Sequence, residues 1–203
     1  MAELSGYDLA LIRGNRYLFQ GLNFSAGSGE LLVVEGPNGS GKTSLLRAIA
    51  GLIDPDEGVV WWNNTNVKRN RQSFHALLVW MGHRPGFKGD LTLVENLRFE
   101  AGLRSMRMST AEHQLRRLKI ATLADIPFRA LSAGQQRRVA LARMCLADAP
   151  LWLMDEPFTN MDAEGQALVV DVLREHLRDG GMCVMATHQR FEIDATVRRI
   201  ELT

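Results

Sequence analysis

The chain of 203 residues has little cysteine, no surplus of charge of either sign and no long apolar run. Its two cysteines, Cys145 and Cys183, are far apart and form no CxxC pair, so we expect reduced thiols and neither a disulfide framework nor a zinc site. With 24 basic and 23 acidic residues, the net charge of +1 provides no field that would gather nucleic acid. We therefore expect no direct nucleic-acid binding.

No window of the sequence contains the roughly 18 to 20 apolar residues that a membrane-spanning helix needs. The N-terminal segment MAELSGYDLA also lacks the basic and apolar regions of a secretory signal. The sequence therefore predicts a chain that is neither inserted in a membrane nor exported. Docking on a membrane protein stays open, because the lack of a spanning segment excludes only insertion.

The hydrophobic period, which indicates the type of secondary structure, changes along the chain. The overall composition of 46% apolar and 23% charged residues is that of a globular protein. Alternation over the first 25 residues predicts antiparallel strands. Runs that are apolar at their centres predict buried strands of a parallel sheet at 30–35, 151–154 and 182–186. Further short apolar runs lie at 58–62 and 76–81.

Helical spacing predicts helices at 42–52, 133–146 and 162–177, and a helical middle at 91–126 with a capping box from Ser109 to Glu112. This alternation predicts an α/β domain with a mainly parallel sheet, in which ligands bind at the carboxyl ends of strands. A solvated helical face is predicted for Arg104, Arg107, Arg116, Arg117 and Lys119.

A glycine-rich segment follows the first buried strand directly and matches GxxxxGK[ST] in full. Glycines let the backbone approach a polyphosphate closely, and the helix N-terminus adds the positive end of its dipole. We expect Lys42 to reach the β- and γ-phosphates of ATP, and the Thr43 hydroxyl to bind Mg²⁺. The predicted nucleotide-binding residues here are Gly36, Pro37, Asn38, Gly39, Ser40, Gly41, Lys42, Thr43 and Ser44.

The predicted strand 151–154 ends in two adjacent carboxylates, Asp155 and Glu156. We expect Asp155 to hold Mg²⁺ together with Thr43. Glu156 is the candidate catalytic base, which would orient and deprotonate the water that attacks the γ-phosphorus. The favoured reaction is therefore hydrolysis of ATP.

The segment Leu131-Ser-Ala-Gly-Gln-Gln-Arg137 lies between these two motifs and resembles the signature loop of the ATP-binding cassette (ABC) ATPases, whose usual form is LSGGQ. From the residues alone, Ser132 is expected to cap the following helix, with Gly134 facing a phosphate. The resemblance implies the ABC type of P-loop NTPase fold, with an antiparallel N-terminal β subdomain beside the mainly parallel core sheet. It also implies one domain over 1–203, with a helical subdomain at about 88–147.

The resemblance further implies a homodimer in which two ATPase domains meet head to tail. Ser132, Gly134 and Gln135 of one copy would then close on the γ-phosphate held by the other copy. Asp162 would belong to the loop that crosses the dimer interface. His188 would be the switch residue that senses the γ-phosphate.

The sequence departs from the family pattern at two positions. His83 stands where the family usually carries a glutamine; it can hydrogen-bond a water or lie near magnesium in a catalytic role, and a structural role stays open. The position of the aromatic that normally stacks on adenine aligns with Arg13, whose guanidinium plane can stack on a base. Tyr17 is the nearby aromatic alternative.

Within the family, the chain looks like the haem-exporter ATP-binding subunits of bacterial cytochrome c maturation. The similarity lies in EGPNGSGKTSLLRAIAGL, GHRPGFKGDLTLVENLRF and LSAGQQRRVALAR. It implies a peripheral ATPase on the cytoplasmic face of the bacterial inner membrane, partnered by integral membrane permease subunits of a cytochrome c maturation complex. ATP hydrolysis would then drive the release of haem from its periplasmic chaperone.

Two other functions stay open at this point: the ATPase subunit of another exporter, of lipid, lipoprotein or drug, and a soluble ABC-type regulatory or nucleic-acid module. The sequence has no CxxCH motif, and its five histidines are scattered. We therefore expect no direct haem binding by this chain.

Overall fold

The computed structural model describes residues 2–203 and contains two β-sheets. The antiparallel sheet comprises β1 (Glu3–Arg13), β2 (Arg16–Gly27), β4 (Glu57–Trp62) and β5 (Thr65–Asn66), in the order β2-β1-β4-β5. The parallel sheet comprises β3 (Glu30–Glu35), β6 (Leu78–Met81), β7 (Leu151–Asp155), β8 (Met182–Ala186) and β9 (Thr196–Glu201), in the order β6-β7-β8-β3-β9. The predicted α/β class, with an antiparallel opening and a parallel core, is confirmed.

Six α-helices connect these strands within the described residues: α1 (Lys42–Ile49), α2 (Arg71–Ala76), α3 (Leu93–Ala101), α4 (Ala111–Arg117), α5 (Ala133–Leu146) and α6 (Ala163–Arg178). The middle of the chain, between β6 and β7, contains α3, α4 and α5 with short 3₁₀ turns between them. No helix within residues 2–203 combines the length and the apolar character needed to cross a membrane.

The parallel sheet separates two buried clusters of apolar side chains. Successive residues of β3 face opposite sides, with Leu31 and Val33 in one cluster and Leu32 and Val34 in the other. The first cluster includes residues of α3, α5 and α6, and the second includes residues of α1 and of the antiparallel sheet. Burial on both faces explains why β3, β7 and β8 are continuously apolar at their centres.

The predicted capping box from Ser109 to Glu112 is wrong. Thr110, which precedes α4, has ψ 3° and makes no side-chain cap bond. Capping boxes form instead at Thr92–Glu95 before α3 and at Ser132–Gln135 before α5. Both of those first residues are extended, with ψ 167° and 160°, which is the conformation that lets a hydroxyl reach the third helical N–H.

The sequence did not predict β9, the outermost strand beside β3. Of its residues only Ile200 is buried, so it carries no apolar run. Its Arg198 gains a partner through folding, since Nε and Nη2 donate to the Glu30 carboxylate at 2.8 and 3.0 Å. These hydrogen bonds lower the pKa of Glu30.

Candidate active site

The glycine-rich loop turns between the end of β3 and the start of α1, where the backbone approaches its neighbours closely. A Cβ atom on Gly36, whose φ is 146°, would lie 2.4 Å from the Leu202 carbonyl oxygen. One on Gly41, whose φ is 101°, would lie 3.0 Å from Cβ of Leu18 in β2. Glycine is therefore required at both positions, and the second contact brings the β1–β2 hairpin beside the loop.

The loop holds a buried ammonium group beneath an exposed rim. Nζ of the buried Lys42 donates to the carbonyl oxygens of Gly36 at 2.7 Å and Pro37 at 3.0 Å. The buried hydroxyl of Ser40 has no hydrogen-bond partner within residues 2–203. The rim consists of Pro37, Asn38 and Gly39, which are exposed, while Thr43 and Ser44 are half-buried at the start of α1. The Lys42 ammonium group has no carboxylate partner in the described part of the chain, and the Ser40 hydroxyl is unpaired there. Together these two groups fit an oxyanion such as a phosphate.

Thr43 and Asp155 meet across the start of α1 and the end of β7. The Thr43 hydroxyl donates to the Asp155 carboxylate, with Oγ1 at 2.9 Å from Oδ2 and 3.1 Å from Oδ1. Burial raises the pKa of Asp155, and the hydrogen bond from Thr43 opposes this shift. No cluster of three or more His, Cys, Asp or Glu side chains that could hold a metal occurs within residues 2–203. One hydroxyl with one carboxylate fits Mg²⁺, which keeps several waters and takes few protein ligands.

Glu156 and His188 form a second pair beside the first. Glu156 follows β7 with a left-handed φ of 50°, and its N–H donates to the Ala186 carbonyl at the end of β8. Its Oε2 lies 2.9 Å from Nδ1 of His188, which follows β8 and is exposed. The structure thus places a carboxylate beside an imidazole, an arrangement that can accept and hold a proton.

His83 lies at the same edge of the sheet as these pairs. It follows β6, and β6, β7 and β8 are adjacent in the parallel sheet, so their carboxyl ends bring together His83, Glu156 and His188. His83 is exposed, and among the smaller influences on Asp155 its charge lowers the pKa of that carboxyl. This common edge is where ligands bind in parallel α/β folds.

Arg137, a buried residue of α5, also reaches this edge, and no sequence motif predicts it as a site residue. Its Nη1 donates to the Gly82 carbonyl at 2.6 Å and its Nη2 donates to the Glu156 carbonyl at 2.8 Å. Burial lowers the pKa of Arg137, while the charges of Asp155 and Glu156 raise it. No sequence pattern separates it from Arg138, whose Nη2 lies 3.2 Å from an Asp162 carboxylate oxygen.

The residues of the signature segment lie around a separate surface cavity. The Ser132 hydroxyl accepts from the Gln135 N–H at 3.3 Å, as expected of a helix cap, and the Gln135 side chain accepts from the Ser132 N–H at 2.8 Å. Asp162 caps α6 by accepting from the Gly165 N–H at 2.8 Å. The cavity, of about 390 Å³, is lined by Lys119, Ser132, Gly134, Gln135, Arg138, Asn160 and Asp162.

The two adenine-stacking candidates lie at the tip of the β1–β2 hairpin. Arg13 and Tyr17 are both exposed, and Tyr17 adjoins Leu18, which contacts the glycine-rich loop. The Arg13 guanidinium donates to the Ile12 carbonyl at 3.0 Å. Both side chains are exposed, so both stay candidates for stacking on a base.

Comparison with known proteins gives matches in sequence along the whole chain. The model of the ABC transporter family matches residues 19–159. A curated relative from Methylococcus capsulatus (strain Bath), named cytochrome c biogenesis ATP-binding export protein CcmA, is 44% identical over 100% of this chain and 99% of its own. A protein of the same name from Nitrosospira multiformis is 42% identical over 100% of this chain and 100% of its own. The relative named CcmA 1 from Salmonella typhimurium is 46% identical over 98% of this chain and 97% of its own.

Solved structures share the fold at lower sequence identity. An ATP-binding subunit of an ABC transporter superposes with a TM-score of 0.83 and 23% identity, over 91% of this chain and 79% of that chain. A putative ABC transporter ATP-binding protein from Pyrococcus furiosus gives a TM-score of 0.84 and 20% identity, over 97% of this chain and 96% of that chain. These similarities confirm the predicted fold.

Proposed function

Because the chain belongs to the ABC transporter family, we propose that it is the ATP-hydrolysing subunit of a membrane complex that acts in cytochrome c biogenesis. The observation that carries this proposal is the meeting of Lys42, the Thr43–Asp155 pair and the Glu156–His188 pair at one edge of the sheet. It occurs in a chain that is 44% identical, end to end, to a relative named cytochrome c biogenesis ATP-binding export protein CcmA.

Each residue group of the site has a part in binding or hydrolysing ATP. We propose that Lys42 and the loop N–H groups bind the phosphates, with Lys42 exchanging its two carbonyl partners for phosphate oxygens. Thr43 and Asp155 would hold Mg²⁺, which when bound neutralises charge on the β- and γ-phosphates. Glu156 would take the proton of the attacking water, and His188 would hydrogen-bond the Glu156 carboxylate and the γ-phosphate.

A second copy of the chain would complete the site. Within one chain, the cavity lined by Ser132, Gly134 and Gln135 is not lined by any residue of the glycine-rich loop 36–43. We propose the head-to-tail homodimer, in which this cavity covers the γ-phosphate bound by the partner copy. The start of α5 would face that phosphate, and Asp162 would lie at the contact between the copies.

The relatives and the resemblance to haem exporters support a biological role at the membrane. We propose that this single ATPase domain, with its helical part at about 88–147, docks on integral membrane permease subunits at the cytoplasmic face of the bacterial inner membrane. Its ATP hydrolysis would drive the release of haem from a periplasmic chaperone. The partners, and not this chain, would contact the haem.

The chemistry is tested with Glu156→Gln, which keeps the size of the side chain but removes the base. We expect this variant to bind ATP, to accumulate as a dimer in light scattering and to lose at least 100-fold in turnover. Glu112→Gln is the matched control, because Glu112 lies on the surface and pairs with Arg116. Rapid hydrolysis by Glu156→Gln would contradict the assignment of the base.

The biological role is tested in a bacterium that makes c-type cytochromes and lacks its own copy of this subunit. We expect the intact chain to restore covalently haem-bound cytochrome c, measured by haem staining of denatured proteins in gels. Glu156→Gln should not restore it, whereas Glu112→Gln should. If the intact chain hydrolyses ATP but leaves holocytochrome c absent, it serves another exporter and this role is refuted.

A further inference from the structure

The outer edge of β6 is covered by arginine side chains. β6 is the terminal strand of the parallel sheet, so the carbonyl groups of alternate residues point away from β7 and have no neighbouring strand. Three of these carbonyls accept hydrogen bonds from the guanidinium groups of three arginines that lie between β6 and β7 in the chain. We name these three arginines the arginine row. The pairs are Arg104 with Leu78 at 2.9 Å, Arg143 with Trp80 at 2.7 Å and Arg137 with Gly82 at 2.6 Å.

Arg137 differs from the other two members of the arginine row in its second contact. Arg104 and Arg143 each lie 3.6 Å from a carboxylate oxygen of Glu100, so the two guanidinium groups share one carboxylate. Arg137 instead uses its second nitrogen on the Glu156 carbonyl at 2.8 Å. The prediction that Arg104 lies on a solvated helical face is wrong, because its side chain donates to the Leu78 carbonyl at the start of β6.

The Arg137 contact falls on a strained part of the backbone, where the Glu156 N–H also donates to the Ala186 carbonyl and the Glu156 carbonyl also accepts from the Thr159 N–H at 3.3 Å. The φ of 50° at Glu156 is a left-handed conformation that costs a side-chain-bearing residue about 1 kcal/mol or more. Surrounding contacts must hold this conformation, and the planar fork of a guanidinium group fixes two acceptors relative to each other. Arg137 therefore ties the Glu156 backbone to Gly82, the residue before His83.

Arg137 also belongs to the helix that begins at the signature segment. The residue lies in the second turn of α5, which Ser132 caps. Its side chain is buried, so it does not itself face a nucleotide bound by a second copy. A shift of α5 on dimer closure would pull on both carbonyls at once.

We propose that Arg137 is a positioning residue for hydrolysis. It couples α5, the helix that begins at the signature segment, to the backbone carbonyls of Glu156 and of Gly82, which precedes His83 in the same chain. This inference rests on the proposed ATPase function. It predicts an effect on turnover that is larger than the effect on nucleotide binding.

The test compares Arg137→Met and Arg137→Lys with Arg143→Met in the full chain. Arg143→Met is the matched control, because Arg143 is also buried on α5 and also donates to a carbonyl at the outer edge of the sheet, but that carbonyl belongs to Trp80 and not to Glu156. We expect Arg137→Met to lower kcat at least tenfold with KM for ATP changed less than twofold. Arg137→Lys should recover part of the loss, and Arg143→Met should keep kcat within twofold even where it lowers Tm.

Equal kcat for Arg137→Met and Arg143→Met would overturn the proposal, and so would a loss that appears only in KM. If Arg137→Met does not fold, Arg137→Lys decides, since a kcat equal to that of the intact chain also refutes the role. Glu156→Gln is measured in parallel. An intact chain without ATPase activity refutes the proposed function, whereas an active chain with an inactive Glu156→Gln and unaffected Arg137 variants refutes only this inference.

Discussion

Lowering the pH from 7.5 to 5 should destabilise the protein through His176, which lies near the end of α6. The ring of His176 stacks on Trp152, with centroids 3.9 Å apart and planes 9° apart, and its Nε2 lies 3.2 Å from the Met182 carbonyl oxygen. Burial lowers the pKa of His176 from its ordinary 6.5 to about 4. The folded protein therefore disfavours the protonated ring.

The size of the effect follows from the difference between the two pKa values. A group whose pKa is depressed on folding contributes stability that is fully present above its unfolded pKa of 6.5 and is lost as the pH falls toward the folded value of about 4. When the difference in proton binding is integrated from pH 7.5 to pH 5, His176 alone should lower the free energy of unfolding by about 2 kcal/mol.

Urea unfolding followed by tryptophan fluorescence measures this loss. His176→Phe is the matched variant, because it keeps an aromatic ring on Trp152 but does not titrate. Other titrating groups, such as Glu30, contribute equally to both proteins, so the difference between the two pH-dependent losses isolates His176. Equal losses of stability in both proteins between pH 7.5 and pH 5 would show that burial does not depress the pKa of His176.

The remaining predictions concern the loop and the sheet edge. Gly36→Ala should abolish binding of a fluorescent ATP analogue, because its Cβ would lie 2.4 Å from the Leu202 carbonyl oxygen; unchanged affinity would show that the loop can shift. His83→Ala should slow ATP turnover while leaving nucleotide affinity nearly unchanged, since the residue lies beside the carboxyl end of β7. An unaffected turnover would make His83 structural.

The elements with strong local signals could be predicted from the sequence. The bounds of α5 and β8 agree with the predicted 133–146 and 182–186, and β7 extends the predicted 151–154 by one residue. α1 ends at Ile49, three residues before the predicted end, and Gly51 follows it in a left-handed conformation. The predicted family is likewise confirmed, because its motifs are short, ordered along the chain and rich in residues with special chemistry.

The contacts that depend on distant parts of the chain could not be predicted. β9 is held by its register with β3 and by Arg198 with Glu30, pairings that no local period indicates. The roles of Arg137 and Arg138 differ only because one side chain is buried under β6 and the other reaches Asp162. The pairing of Glu156 with His188 depends on the left-handed turn after β7, which the sequence does not mark with a glycine.

The arginine row has a consequence for how the protein behaves in a crowded cell. A terminal strand with free acceptors is a template on which another chain can add its own strand and begin to aggregate. Along β6, charged guanidinium groups already occupy the carbonyls of Leu78, Trp80 and Gly82. The helical region thus protects this side of the sheet from unwanted self-association, and it does so with polar groups instead of an additional strand.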